Sequence, residues 1–261
     1  MVIIRGGKMN NKIKLLQLFN FVFAILGFIY VFYTQDYSWL VVSLLCWFFI
    51  GPVAVVIGLH RMLSHRSFKT HKWIENTLCL LSVYSSVGPT INWVALHRVH
   101  HQHSDMDLDP HSPYDGGMFT YKKAIEVWLG FNWKVAHISI DNAKDLVRDP
   151  LHRFIYRHYF SIILGTCLGL LLINPLMVIY CYIIPATMTY LIIGMVNVLG
   201  HFHGYRNHDK YDMSTNSWIA NLFSLGDGWH NNHHNNPQRY YSGERWYEWD
   251  LMGLIIKVIK V

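Results

Sequence analysis

Charge is what this sequence has least of. Lys, Arg, Asp and Glu together make up 15% of its 261 residues, against about 25% in an ordinary soluble domain. Cysteine is sparse too: Cys46, Cys79, Cys167 and Cys181 lie singly in apolar stretches, with no CxxC pair. That argues against a disulfide framework or a cysteine-held metal and leaves four small core hydrophobes. No basic run interleaved with aromatics occurs, so nucleic acid is not an expected partner. Internal repeats, low-complexity segments and dividing linkers are absent as well, and we expect one unit over residues 1–261. A cleavable signal peptide is not expected, because the first apolar stretch is too long and no small-residue cleavage site follows it.

What is abundant is apolar: the AVILMFWYC set reaches 52%, and mean hydropathy is +0.19. These values point to a membrane. Residues 13–33 carry one charge, Lys14 at the edge, and residues 39–59 carry none. Each is long enough to cross about 30 Å of hydrocarbon, and the short "TQDYS" between them makes a tight hairpin. Residues 159–200 are again uncharged, broken by Asn174-Pro175 into a second hairpin. The reading is an all-α integral membrane protein with four transmembrane helices in two hairpins, near 13–33, 39–59, 156–174 and 176–200. The first arm of the second hairpin looks short and is expected to begin a few residues earlier.

Two hairpins place both termini and the middle segment on one side. All 22 Lys and Arg then fall there, and the opposite loops keep only Asp36. By the positive-inside rule that side is cytoplasmic. The net charge of +6 suits anionic headgroups or a phosphorylated substrate. Residues 76–96 are also uncharged, but Ser82, Ser85, Ser86, Gly88, Pro89 and Asn92 make them too polar for lipid. We read this stretch as re-entrant or interfacial, and the C-terminal "LMGLIIKVIKV" as surface-lying.

The second abundance is histidine, 17 residues. Three boxes stand out: "HRMLSH" (His60, His65), "HRVHH" (His97, His100, His101) and "HNNHH" (His230, His233, His234). On an α-helix, positions i, i+3 and i+4 share a face, so each HxxHH box is expected to converge its imidazoles on one point. In the first box, i and i+5 lie about 140° apart on a regular helix. Either the helix ends between them or the two serve different metals. Neutral imidazole suits iron, copper, nickel or zinc, and eight or nine nitrogens would fill two four- or five-coordinate ions, beyond one zinc site. No ExxH or HExxH occurs, so this is not the carboxylate set of soluble di-iron bundles. Asp105, Asp107, Asp109 and Asp227 are candidates to hydrogen-bond the ligands; the alternative is a plain loop role, with Asp109-Pro110 reading as a turn. A lone histidine is most often structural or exposed. His71, His137, His152, His158 and His208 are therefore read as surface residues. His103 and His203 lie near the boxes but off their faces, and His111 is left open.

At these residues the sequence resembles the membrane fatty acid desaturases, in particular the Δ9 acyl-CoA/acyl-lipid group. The likeness runs from about His60 to Asp250 through "HRMLSHRSF", "LHRVHHQHSD", "DPHSP", "NVLGHFHGYR" and "GDGWHNNHHNNP". It implies a cytoplasmic helical cap carrying the boxes, with nine histidines binding two ferrous ions. The nine are His60, His65, His97, His100, His101, His201, His230, His233 and His234. Asn197 would hold a metal-linked water, and O₂ would be co-substrate. Asp227 stands where the family often has Glu. The resemblance also implies a fatty acyl-CoA or acyl-lipid substrate and insertion of a cis double bond, Δ9 in that group. The electrons must come from a separate donor of cytochrome b5 or ferredoxin type, because no haem segment or iron–sulfur cysteine set is evident. Two rivals remain. A hydroxylase or ketolase could use the same scaffold, and a membrane metal transporter would need polar groups at the bilayer midplane, which the spans lack.

Overall fold

A computed structural model describes residues 6–130 and 140–261. Among the described residues four helices are long and apolar enough to cross a membrane: Met9–Thr34, Ser38–Ser64, Pro150–Ile173 and Pro175–Phe202. The first belongs to α1 (Gly6–Thr34), which begins in the described segment at Gly6; we call the other three α2, α7 and α8. The turn after α1 closes on Asp36, whose carboxylate accepts from the backbone and hydroxyl of Ser38. The second hairpin turns on Asn174, which caps the next helix by accepting from Leu176 N, with Pro175 pre-set for the first helical position. Helix α7 starts at Pro150, capped by Asp149, which accounts for the arm that looked short. Outward residues such as Leu15, Phe32, Leu164 and Leu172 stay exposed, as a lipid-facing surface requires.

The bundle is held by small residues and buried polar contacts rather than by hydrophobic transfer, which offers little inside hydrocarbon. Gly27 lets α8 close on α1, since a Cβ there would come within 2.6 Å of Ile179 Cγ2. The Tyr180 hydroxyl donates to Gly27 O at 2.7 Å, and Ser43 donates to Tyr180 O at 2.9 Å.

Between the hairpins lie α3 (Lys72–Leu81), continued by a tight turn to Ser85, and α4 (Thr90–Gln102), bent by 86°. Ser86 at φ 58° and Gly88 at φ 106° turn the chain, and Pro89 supplies no donor. The bend is plugged into the bundle. Ser86 bonds Asn20 and Tyr182 through its hydroxyl, and its carbonyl accepts from Gln17. The Ser86 carbonyl is thereby satisfied, and Gly88 N donates to the Tyr159 hydroxyl at 3.2 Å. These backbone groups are therefore not left open at a bend that makes the pair a broken span or a re-entrant loop.

The remainder forms a cap: a small hairpin (Tyr114–Asp115 with Met118–Phe119), α5 (Tyr121–Trp128), α6 (Lys144–Arg148), α9 (Trp218–Ser224), α10 (His230–Asn235) and α11 (Leu251–Ile259). Helix α11 buries Met252 and Ile256 and exposes Leu254 and Val258. Its end is strapped to the segment after the first box, with Val261 N donating to Lys69 O and Thr70 Oγ1 to Ile259 O.

Candidate metal centre

The first box is explained by winding. Residues Phe49–Ser64 of α2 follow π geometry, around Pro52, whose missing N–H disturbs the regular ladder. In that geometry i bonds i+5, and His65 N donates to His60 O at 3.2 Å. The two rings therefore meet, with centroids 4.9 Å apart. Of the two alternatives the first holds and the second does not: the helix ends at Ser64, with His65 as its cap, and both histidines belong to one cluster.

The structure gathers the nine histidines into two groups, His60, His65, His97, His101 and His233, and His100, His201, His230 and His234. Within each group the ligand nitrogens lie within 4.8 Å of one another. Convergence of each HxxHH box on one point is thus corrected. Positions i and i+4 of α4, His97 and His101, stay together, while His100 turns to the other group. In α10, His230 and His234 stay together and His233 departs. At 100° per residue, i+4 lies about 40° from i but i+3 about 60° the other way, so neighbouring i+3 and i+4 straddle two sites. Gly200 makes room for this, since a Cβ there would sit 2.9 Å from His230 Cδ2.

Carboxylates fix the ring orientations. Asp227 accepts from His60 Nδ1 at 2.9 Å, Asp109 from His100 at 2.9 Å, Asp105 from His201 at 2.7 Å and Asp212 from His234 at 3.0 Å. Three of the four expected acids therefore hold ligands, Asp107 is exposed, and Asp212 was missed. Burial pushes the Asp109 carboxyl up, but His100 outweighs it and brings it down to about 2. Asp105 and Asp227 are likewise held below their ordinary range, by His201 and His60 against the effect of burial.

A proton held on Nδ1 leaves a lone pair on Nε2. His100 and His234 are both held this way, and their Nε2 atoms face each other at 3.3 Å. His60 meets His233 at 3.0 Å and His201 meets His230 at 3.1 Å through the same atoms. Facing lone pairs repel unless a cation lies between them. Nitrogens bound to one ion at about 2.1 Å stand about 3 Å apart when at right angles. The donor set thus fits two metal ions.

Burial, and next the neighbouring imidazoles, hold His65, His230, His233 and His234 well below their ordinary value. An unfolded chain would protonate these groups near pH 6.5. Below that pH it binds more protons than the metal-free fold, so stability rises with pH and falls on acidification, by up to ~1.4 kcal/mol per pH unit for each group. Chelator-stripped protein should unfold at a clearly lower temperature at pH 5.5 than at pH 7.5. An unchanged midpoint would contradict the burial of these groups.

The scaffold behind the third box also escaped the sequence reading. Asn232 donates to Ser242 O and Glu248 and accepts from Asn207 and Asn216, and Asn231 holds the 207–208 backbone. Of the histidines read as surface groups, His152 is buried and bonded to Thr90 Oγ1 at 2.9 Å. His208 is half-buried against Glu244, His71 is exposed and His158 half-buried; His137 lies outside the described residues. His111 packs 5.6 Å from the His100 ring, with burial lowering it to about 4.

A narrow apolar cavity descends from the centre between α2 and α8, lined by Trp93, Val56, Ile193, Gly51 and Trp47, with His60, His97 and His230 at its head. Asn197, one turn before His201, lines it and a second space that reaches Asn10 and Lys14 of α1.

Residues 37–248 match the model of the fatty acid desaturase family. Curated relatives include an sn-1 stearoyl-lipid 9-desaturase of Anabaena variabilis, 32% identical over 90% of this chain and 86% of that protein. An sn-2 palmitoyl-lipid 9-desaturase of Nostoc sp. is 31% identical over 86% and 80%. The Delta-9 acyl-lipid desaturase 2 of Arabidopsis thaliana is 29% identical over 96% and 76%.

Proposed function

The chain belongs to the fatty acid desaturase family, and from that premise we propose that it is an O₂-dependent acyl-lipid desaturase using two iron ions. The observation that carries this is the pairing of two imidazole clusters with the head of a narrow apolar cavity. Cleaving unactivated C–H bonds needs an oxidant no side chain provides, and two irons with O₂ and two external electrons would supply it. The protein's own task is placement. A chain arriving from the bilayer gains little by hydrophobic transfer, so the cavity works by shape, holding one C–C segment at its head. Trp93, Val56 and Ile193 line that path and keep water out. Asn197, lining the space below the four-histidine cluster, is assigned to orient a water there; its amide can donate and accept. The carboxylates hold the rings of His60, His100, His201 and His234 with Nε2 free. A cis-Δ9 product on a glycerolipid-bound chain follows the relatives' specificities, with electrons from a cytochrome b5- or ferredoxin-type donor.

Gas chromatography of total fatty acids from a host expressing the protein with a donor tests this reading. Monounsaturated chains should rise, with the double bond at carbon 9, and only in the presence of O₂. Hydroxy or keto products would replace it with a hydroxylase or ketolase, and an unchanged profile would end it.

We also place the centre on the cytoplasmic face, on the strength of the one-sided Lys and Arg. Thr120→Cys should resist impermeant thiol reagents added to intact cells and react after permeabilisation. Labelling from outside would reverse the orientation.

A further inference from the structure

We propose that the two clusters hold their ions with unequal strength, the four-histidine cluster tightly and the five-histidine cluster exchangeably. This rests on the two-metal reading above and adds to it which ion leaves first. The four-histidine cluster has three carboxylates on its ligands: Asp109 on His100, Asp105 on His201 and Asp212 on His234. All three acids are 6% exposed or less. Each also accepts at least one further hydrogen bond, from the backbone of His111, Met213 and Ser214 respectively.

The five-histidine cluster differs. Among the described residues its ligands have one carboxylate, Asp227 on His60. That carboxylate is shared, because Arg61 Nη2 takes its other oxygen at 3.1 Å. Arg61 is buried beside the cluster and balanced on its far side by Asp250 at 2.7 Å. A dication in the four-histidine cluster therefore meets three negative charges through its ligands. One in the five-histidine cluster meets a single charge already drawn toward a guanidinium.

Outer carboxylates that hold metal-binding histidines are each worth about 10–100-fold in affinity. The difference of two carboxylates favours the four-histidine ion by about 10²–10⁴-fold. The fifth imidazole works the other way, but His65 and His101 are only half-buried, and water competes for an ion at that rim. All four ligands of the other cluster are buried.

The test is metal release. Full-length protein in detergent, loaded anaerobically with Fe²⁺, is mixed with excess ferrous chelator and followed by absorbance. Two phases of equal amplitude are expected, the slow one at least about 100-fold slower. Asp212→Asn should speed the slow phase and leave the fast one; Asp227→Asn should speed only the fast one. Both replacements keep the side-chain shape and an acceptor for the ring N–H. A single phase overturns the inference, as does acceleration of the slow phase by Asp227→Asn or loss of both phases together in each variant. Protein that takes up no more than one iron per chain sinks the two-metal reading itself.

Discussion

Replacing His233 or His100 with alanine is expected to abolish desaturation while leaving the protein in the membrane. His233 faces His60 and His101 in one cluster, at 3.0 and 3.1 Å between Nε2 atoms, and His100 belongs to the other. Losing a ligand should cost more than losing an outer partner, so product should fall by more than about 100-fold. Bound iron should drop from about two ions per chain toward one in each variant. Asn197→Ala is the contrast, because an amide that orients water does not replace an imidazole: iron should stay and turnover should fall. Product formation and iron content, measured on the same membranes, decide the matter. Retained activity in either histidine variant removes that residue from the centre, and stoichiometric zinc in active protein removes iron.

The largest expected effect on stability is at Arg61. It is 1% exposed, donates to Asp250, Asp227 and the Tyr240 carbonyl, and sits beside the ligand His60 in α2. Arg61→Met would leave two carboxylates unneutralised in a dry interior. Breaking one side of a buried ion pair costs about 3–5 kcal/mol. At about 2–4 °C per kcal/mol for a chain of this size, thermal unfolding in detergent should move down by roughly 10 °C. Adding Asp250→Asn to Arg61→Met should recover part of the loss, because one stranded charge is then removed. A single variant within about 1 kcal/mol of the parent would mean that water reaches these carboxylates.

Much of this was legible in sequence because it depends on counts and spacing. Uncharged runs give the spans, Asn174-Pro175 gives a turn, and the boxes give eight of the nine clustered histidines. Their partition was not legible. Whether His100 faces the same ion as His97 depends on 60° of rotation and on what stands across from α4, which a spacing rule does not contain. The pairing of His60 with His65 needed a π-wound helix, and regular geometry excludes it. Asp212 differs from its neighbour Asp209 by nothing in the local sequence; only the fold of the 203–217 loop carries it to His234. His152 illustrates the opposite error, because an isolated polar residue reads as exposed until α4 is packed against α7.

The interleaving of ligands between the two clusters also has a consequence in time. Each cluster draws on α4 and on α10, so neither is complete until the residues after His230 exist. His97 and His230 are 133 positions apart, an interval of roughly 7–27 s at about 5–20 residues synthesised per second. The second hairpin is synthesised within that interval, with the first two boxes already made and neither cluster complete. Metal loading therefore follows synthesis of all four spans. A cell short of iron should accumulate a correctly inserted, empty protein that gains activity on later supply, without new synthesis.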